Sequence, residues 1–461
     1  MESKKPNHVV VMAFPFGTHA VPLFNLVLRL AIQAPTLTFS FFSTSKSNQS
    51  VFGSTSNTNN IPRNIKPYDV DDGVPKGFTP KHPMDVFNFF IESMAENFTN
   101  RIRSVYGGGD EMKMMMIKCF IIDTFMYFGS DMADQLGVPL ISFWTAGPSS
   151  LSTHYYTDLI RQTITLGPNG IDGREDELID FVPGLSPLIR TSDLSEGVLF
   201  GFMELEFTHV KHKMGLALPR AAAVTMNCFP ELDQPVLEDF KSKFQKCLTL
   251  GPLALTSHEY PSHTHDDPHG CLTWLEKQKK TSVAYISFGS VTTPPPDELA
   301  ALAEGLEESG MPFLWSLKDH AVGQLPNGFL ERTSRRGFVV PWTPQQQVLG
   351  HDAVGAFVTH CGWNSVMESI TAGVPMICRP FYGDQRLNCR MVSDVWGIGT
   401  RIKDGVFTKY GMMECLDMIF SEEKFRAKVG TLRGFAKHAV GPEGSSTKNF
   451  KTLAKIVCDG C

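Results

Sequence analysis

The chain has 461 residues and a formal net charge of −6, and 42% of its residues are hydrophobic and 20% charged. This length suits two or three folded domains, and the slightly acidic balance offers no basic surface, so we expect no nucleic-acid partner. The apolar runs stay short of the roughly 18 residues of a membrane helix, and the first, interrupted by Pro15, lacks a cleavage site, so we expect no membrane span and a cytoplasmic location.

The first half of the chain alternates apolar runs with helical patterns. Residues 8–14 form a valine-rich run typical of a strand buried on both faces. Leu23, Leu26 and Leu30 then recur at helical spacing before a second apolar run at 37–42. This strand–helix–strand order predicts a parallel sheet. Further strands are predicted over 119–122, 138–143 and 222–227, and helices over 85–102, 149–160 and 201–218.

The second half of the chain repeats the alternation after a break. Residues 251–270 are rich in proline and histidine without a sustained period, which indicates an interdomain linker. A helix is predicted to begin at Pro296 and to end at Gly310, and Ser445 is expected to cap a last helix. Strands are predicted over 282–288, 313–317, 337–340, 354–359 and 374–378.

These patterns predict an α/β protein with two Rossmann-like parallel-sheet domains that face each other across a cleft. The first domain is expected over residues 1–250, the linker over 251–270 and the second domain over 271–440. A C-terminal helix within 441–461 is expected to pack back on the first domain. Ligands of parallel α/β sheets bind outside the carboxyl ends of the strands. Polar residues predicted to lie there are His19, Asp123, Thr145, Ser290, His360 and Asp384.

A possible phosphate site lies where a predicted strand meets a helix at residues 362–365. A helix N-terminus presents free N–H groups and the positive end of its dipole to an anion. Asn364 and Ser365 add side-chain donors, and His360 lies just before the junction. Ser290, after another predicted strand, is a second candidate for binding phosphate. These residues predict a site for a phosphorylated ligand.

Other residues of the same stretch fit the remaining parts of a nucleotide-sugar. The indole of Trp342 offers a flat face for a base, and Glu368, three residues after Ser365, can accept hydrogen bonds from vicinal ribose hydroxyls. Asp384 and Gln385 follow the next predicted strand and suit sugar hydroxyls. Residues 342–385 therefore predict a binding site for a nucleotide-sugar donor.

His19 and Asp123 suit the proton transfer that an acceptor hydroxyl requires. His19 stands at the start of a predicted helix, where the dipole disfavours a charged ring and keeps the imidazole a base. Asp123 ends a neighbouring strand, where a carboxylate can hold one ring nitrogen and stabilise the charge that develops. The pair predicts a general base and its partner.

The stretch 342–385 resembles the plant secondary-product glycosyltransferase box, whose hallmark HCGWNS stands at residues 360–365. The stretches FPFGTHA, FWTAGPSSLSTH, ISFGSVTTPPP and GDQRLN resemble the flavonoid and anthocyanidin 3-O-glucosyltransferase branch of plant family 1 UDP-dependent glycosyltransferases. The resemblance covers essentially the whole chain. It implies a GT-B fold, a UDP-sugar as co-substrate, and inversion at the anomeric carbon without a metal or another cofactor.

The resemblance also implies roles for individual residues. His19 and Asp123 match the family's base and its partner. Gln345 and Trp363 belong to the implied donor site, Thr145 approaches the transferred sugar, and His154 belongs to the acceptor pocket. Gln385, the last residue of the box, implies glucose, whereas a histidine there often accompanies galactose. The acceptor is expected to be a small planar phenolic compound, with an aromatic wall built by Phe16, Phe125, Phe202, Phe207 and Tyr382.

The resulting expectation is a monomeric enzyme that transfers glucose from UDP-glucose to the 3-hydroxyl of a flavonol or an anthocyanidin, giving a β-O-glucoside. UDP-galactose or another UDP-sugar, and a different phenolic or terpenoid acceptor, remain alternatives. A non-catalytic nucleotide-sugar-binding module is the alternative outside enzymes. A nicotinamide cofactor is not expected, since Gly397 and Gly399 lack the third glycine of the dinucleotide motif. The Asp69–Asp71 pair is a weak metal signal, and we expect no metal.

Overall fold

The computed structural model describes most of the chain, in the ranges 7–53, 61–81, 83–107, 116–164, 171, 173–201, 205–256, 267–290 and 292–459. Phe202, which the sequence assigns to the acceptor wall, lies outside the described residues, as does part of the expected linker, 257–266.

The first domain is organised around a seven-stranded parallel sheet with the strand order β3-β2-β1-β4-β5-β6-β7. Its central strands are buried on both faces, which is why they read as continuous apolar runs. In β1, Val10 packs into one core cluster and Val9 and Val11 into another. The strands are β1 His8–Met12, β2 Thr38–Thr44, β3 Ile65–Val70, β4 Ile117–Asp123, β5 Leu140–Trp144, β6 Ala223–Met226 and β7 Cys247–Thr249.

The second domain is organised around a six-stranded parallel sheet with the strand order β10-β9-β8-β11-β12-β13. Its central strands β8 and β11 are buried throughout. The strands are β8 Val283–Ser287, β9 Phe313–Ser316, β10 Gly337–Val340, β11 Val354–Thr359, β12 Met376–Cys378 and β13 Gly399–Arg401. From β8 the chain adds strands first on one side, as β9 and β10, and then on the other, as β11 to β13. A crevice opens between β8 and β11 at the carboxyl ends of the strands.

Helices connect successive strands and cover both sheets. In the first domain they are Ala20–Gln33, Ser45–Gly53, Pro83–Tyr106, Gly129–Leu136, Pro148–Tyr155, Thr157–Thr163, Glu206–Ala217, Gln234–Lys243 and Leu253–Thr256. In the second they are Cys271–Leu275, Pro296–Ser309, Asp319–Val322, Phe329–Thr333, Gln345–Gly350, Trp363–Ala372, Gln385–Arg390, Lys409–Ser421 and Glu423–Val440. Ser445–Asp459 is the last.

The last helix lies on the first sheet. Its Leu453 and Val457 pack in one core cluster with Val9 and Phe39, and Asn449 donates a hydrogen bond to the carbonyl of Thr249 at 2.9 Å. The domain boundaries after residues 250, 270 and 440 remain predictions.

The structure confirms the predicted fold class of two parallel-sheet α/β domains and differs from the sequence-based elements in a few places. Strand β3 was not predicted, because it is an edge strand whose exposed Lys66, Pro67 and Asp69 hide its buried ends. Asp69 accepts a hydrogen bond at 2.8 Å from Asn48, which belongs to the helix Ser45–Gly53, so its carboxylate has a partner within the first domain. The single helix expected over 149–160 is divided at Tyr156 into two.

None of the helices in the described ranges combines the length and the apolar character needed to cross a membrane.

Candidate active site

A cavity of about 600 Å³ lies between the two domains, at the carboxyl ends of both sheets. The first domain contributes the loop that follows β1 and the end of β5, and the second contributes the ends of β8, β11 and β12. Thirteen of the residues assigned to a site from the sequence line this cavity: His19, Thr145, Ser290, Trp342, Gln345, His360, Trp363, Asn364, Ser365, Glu368, Tyr382, Asp384 and Gln385.

His19 is held in one orientation by a buried carboxylate and by aromatic rings. Its Nδ1 lies 2.9 Å from Oδ2 of Asp123 and 3.0 Å from the hydroxyl of Thr145. Asp123 is 1% exposed, and its other oxygen accepts a hydrogen bond from the backbone N–H of Phe125. The imidazole stacks on Phe125 with ring centres 5.0 Å apart and meets the edge of Phe14. With Nδ1–H donating to the carboxylate, Nε2 of the neutral ring is the basic nitrogen.

The strand-to-helix junction after β11 has the features of an anion site. Gly362 precedes the helix Trp363–Ala372, and Cys361 adopts a left-handed φ of 65°, a strained conformation that is found at functional sites. Burial lowers the pKa of His360 to about 4, so this ring is neutral at physiological pH. Its Nδ1 is buried without a hydrogen-bond partner among the described residues. A Cβ at Gly289 would lie 3.0 Å from the ring, which leaves the imidazole tightly flanked.

Two further polar residues stand at the rim of the cavity. Ser290 is exposed in the loop after β8. Asn364 donates from Nδ2 to the hydroxyl of Thr18 at 3.0 Å and so joins the two domains beside His19. Both side chains face the cavity from the side that carries the helix N-terminus.

The carboxylate of Glu368 is oriented by two amides. Gln345 donates to one oxygen at 2.7 Å and Gln346 to the other at 3.0 Å, and Gln345 also donates to the hydroxyl of Ser365. Burial raises the pKa of Glu368, although the two amide bonds oppose the shift. Trp342 lies nearby with 45% of its surface exposed. This arrangement suits a diol and a flat base, the two ends of a nucleoside.

The turn that carries Asp384 and Gln385 presents their polar groups to the cavity. The Gln385 amide oxygen accepts from the backbone N–H groups of Phe381 and Tyr382 at 2.9 and 3.2 Å, which leaves its NH₂ group as the free donor. Asp384 accepts from Asn388 at 2.7 Å, and burial raises the pKa of Asp384.

An aromatic cluster lies beside His19, on the side of the first domain. Its members are Phe14, Phe16, Phe87, Phe90, Phe125 and Phe207. The structure thus brings together Phe16, Phe125 and Phe207, three residues that the sequence assigned to the acceptor wall. Phe87 and Phe90 were missed, although their spacing of three residues within a predicted helix placed them on one face.

Other residues assigned to the acceptor lie apart from this cluster. His154 is buried behind Trp144, with ring centres 5.8 Å apart, and burial lowers its pKa to about 3. Tyr382 is half-exposed at the edge of the cavity formed by the second domain, where its hydroxyl lies 3.1 Å from that of Thr292. The acceptor roles of both remain predictions.

The indole of Trp363 joins the domains. Its Nε1 donates to the carbonyl of Asn227 at 2.9 Å, and a Cβ at Gly147 would lie 2.7 Å from the ring. The indole is therefore packed against the first domain, and its predicted role in donor binding remains a prediction.

Of the nine cysteines among the described residues, seven are buried as free thiols and two, Cys247 and Cys458, are partly buried free thiols. The sequence did not predict that Cys361, Cys378 and Cys389 would lie together, with sulfur atoms within 4.8 Å of one another, in the core behind the junction after β11.

Comparisons with known proteins identify related enzymes. The family model described as UDP-glucoronosyl and UDP-glucosyl transferase matches residues 217–439. The chain is 51% identical to the anthocyanidin 3-O-glucosyltransferase UFGT of Vitis vinifera over 98% of this chain and 97% of that protein. It is 48% identical to a flavonol 3-O-glucosyltransferase of Arabidopsis thaliana, with coverage of 98% and 97%. An anthocyanidin 3-O-galactosyltransferase of Rhododendron delavayi, 3GT1, is 47% identical, with coverage of 98% of both.

Among solved structures, a UDP-glucose: anthocyanidin 3-O-glucosyltransferase in complex with UDP matches with a TM-score of 0.88 and 39% identity, covering 98% of this chain and 99% of that chain. Together, these similarities over nearly the full length show an enzyme with the GT-B fold. The chain belongs to the family of UDP-glucoronosyl and UDP-glucosyl transferases, within the plant family 1 enzymes.

Proposed function

We propose that this chain transfers glucose from UDP-glucose to the 3-hydroxyl of a flavonoid, either a flavonol or an anthocyanidin, and gives a β-O-glucoside. The observation that carries the proposal is the position of His19. Its ring is bound to Asp123 at 2.9 Å and lies between the aromatic cluster and the cavity that holds the nucleotide-sugar residues. Relatives named for this reaction support it at 48–51% identity.

In this proposal, His19 is the general base. Nε2 accepts the proton of the acceptor hydroxyl while the oxygen bonds to the anomeric carbon from the face opposite the phosphate. The bond from that carbon to the diphosphate breaks, and its electron pair leaves on UDP. Asp123 stabilises the imidazolium that forms, and general-base assistance of this kind contributes roughly 10²–10⁴ in rate.

The second domain binds the donor. The helix N-terminus at Gly362, with His360 and Ser365, stabilises the negative charge on the diphosphate. Glu368 accepts hydrogen bonds from the ribose, Trp342 stacks on uracil, and Asp384 and Gln385 bind the sugar. We propose that these groups do so without a metal ion, since the dipole and the neutral imidazole supply the donors.

UDP-galactose is the second candidate donor, because relatives named as galactosyltransferases are 46–48% identical to this chain. Gln385 favours glucose in our proposal. Its amide oxygen is already bound to two backbone N–H groups, so it offers the sugar a donor of fixed direction.

The aromatic cluster favours a planar acceptor, and phenolic or terpenoid compounds outside the flavonoids are the alternatives to it. Since the cluster belongs to the first domain, we propose that a monomer contains the complete site. We propose a cytoplasmic location for the enzyme.

The proposal is tested with purified protein, UDP-glucose or UDP-galactose, and a panel of flavonols, anthocyanidins, simple phenols and terpenoids. UDP release gives kcat/KM for each pair, and NMR of the product gives the position and configuration of the new bond. We expect the highest kcat/KM for UDP-glucose with a flavonoid, and a β-linkage at the 3-oxygen. A preference for UDP-galactose, or attachment at another hydroxyl, would contradict the proposal.

A further inference from the structure

The turn that presents Asp384 and Gln385 belongs to the second domain, but part of what holds it belongs to the first. We call residues 381–385 the sugar turn and residues 193–200 the bracing segment. The two are linked by one side chain. Glu196 accepts a hydrogen bond from the backbone N–H of Gly383 at 2.8 Å, and its other oxygen accepts from Nη1 of Arg386 at 2.6 Å.

The bracing segment is itself fixed to the first domain. Arg161 donates to the carbonyls of Val198 and Gly197 at 2.8 and 2.9 Å. Lys211, buried on the helix that also carries Phe207, donates to the backbone carbonyl of Glu196. These bonds leave the Glu196 carboxylate little freedom to follow the sugar turn if that turn moves.

Close packing at Gly197 keeps the segment against this helix. Gly197 has a φ of 87°, and a Cβ there would lie 2.7 Å from Thr208 and 3.2 Å from Nζ of Lys211. A side chain at this position would push the segment away from the helix and carry Glu196 away from Gly383.

The sugar turn is thereby held from two sides. The Gln385 amide oxygen binds the N–H groups of Phe381 and Tyr382 from within, and Glu196 binds the next N–H, that of Gly383, from across the domain interface. Three successive backbone N–H groups are satisfied, so the directions of the two side chains that follow are fixed.

We propose that Glu196 is a positioning residue for the sugar of the donor: a carboxylate of the first domain that sets the sugar turn of the second. This inference rests on the proposed function for the identity of the sugar-binding residues. It assigns to Glu196 no contact with the donor itself. Uridine and phosphate are bound elsewhere, by Trp342, Glu368 and the junction at Gly362, so the effect of Glu196 is confined to the sugar.

A change at Glu196 should therefore alter the affinity for UDP-glucose but not the affinity for UDP. Removal of the carboxylate in Glu196→Ala frees the sugar turn and weakens binding of UDP-glucose about tenfold, the value of one hydrogen bond to a charged group. Binding of UDP, which has no sugar, changes by less than about twofold. Glu196→Gln keeps an acceptor for Gly383 but loses the charge, and we expect about a threefold effect.

The test is calorimetric titration of wild type and both variants with UDP and with UDP-glucose, followed by kcat and both KM values with a flavonoid acceptor. Glu177→Gln is the matched control. Glu177 is 38% exposed against 33% for Glu196, and it also binds an arginine, but that arginine, Arg174, lies in the same domain. We expect this variant to bind both ligands like wild type.

Equal losses of UDP and UDP-glucose affinity in Glu196→Ala would overturn the inference, as would unchanged binding of both. A rise in the KM of the acceptor alone would overturn it too, since it would make Glu196 an acceptor ligand. Because the titrations need no acceptor, the inference is tested even if wild type fails to glucosylate a flavonoid, a result that would contradict the proposed function alone.

Discussion

At the scale of single residues, the three histidines assigned to the site have different surroundings. His19 is oriented by Asp123 at the cavity, whereas burial lowers the pKa of His360, which also lines the cavity, to about 4 and that of the buried His154 to about 3. Sequence reasoning identified all three as candidates. The sequence assigned each a different role but did not indicate how far burial lowers the pKa of His360 and His154, because that depends on the surroundings that the fold supplies and not on the local pattern.

The buried His154 leads to a prediction about pH and stability. Its folded pKa of about 3 lies below the unfolded value, so between the two values the unfolded state binds the additional proton. Its contribution to stability is complete above the unfolded pKa near 6.5 and is lost as the pH falls toward 3. Burial raises the pKa of Asp233 to about 7, so Asp233 makes the protein less stable as the pH rises, which opposes the effect of His154. The pH dependence of the wild type alone therefore does not isolate His154, and a variant at that position is needed.

His154→Gln removes this proton. Between about pH 4 and 6, the unfolding free energy of the variant should rise less steeply with pH than that of wild type. The two slopes should differ by about 1.4 kcal/mol per pH unit. Urea unfolding at several pH values measures both slopes. Parallel slopes would show that His154 is not held neutral in the folded protein.

At the scale of elements, the sequence predicts best where a strand is buried on both faces. Strands β1, β8 and β11 were predicted from continuous apolar runs. Edge strand β3 was missed because exposed polar residues and a proline interrupt it, and the edge strands β7 and β13, of three residues each, were also missed. Most of the donor site was predicted because it lies on one continuous stretch. The bracing segment was not, since its role depends on a contact made 187 positions along the chain.

The loop after β8 is predicted to support UDP binding by keeping the ring of His360 in place. Gly289 has a φ of 72° and lies against the ring of His360, where a Cβ would come within 3.0 Å. Gly289→Ala should displace that ring, raise the Kd of UDP at least about tenfold and destabilise the fold by about 1 kcal/mol.

Gly310→Ala is the control for this substitution, because Gly310 has a φ of 67° but nothing within 4 Å of a Cβ. It should lose similar stability and bind UDP like wild type. Equal UDP affinities in both variants would mean that the ring of His360 does not contribute to the binding of UDP.

At the scale of the whole molecule, the cleft depends on contacts that cross it. The pair of Arg390 and Asp193 is buried, with 7% and 9% of the side chains exposed, and joins the second domain to the first at 2.8 Å. The hydrogen bond from Trp363 to the carbonyl of Asn227 is another contact between the two domains. These contacts connect residues far apart in sequence, so no local pattern predicts them.

Removal of one member of the buried Arg390–Asp193 pair tests how much this contact between the domains stabilises the protein. Asp193→Ala leaves the buried guanidinium of Arg390 with only the longer ion pair to Asp394 at 3.5 Å, and it should destabilise the protein by about 3 kcal/mol. Glu307→Ala breaks the exposed ion pair with Arg332 and should have a much smaller effect. Chemical unfolding compares the two, and similar losses would show that the domains are held together by other contacts.

Glucosyl transfer by this enzyme is proposed to depend on His19 as the general base. The most direct measurement is the acceptor-dependent rate of UDP release from UDP-glucose by wild type and by His19→Ala, with UDP affinity measured alongside. We expect the variant to lose at least about a hundredfold in kcat while it binds UDP like wild type. An unchanged rate in His19→Ala would show that His19 is not the base.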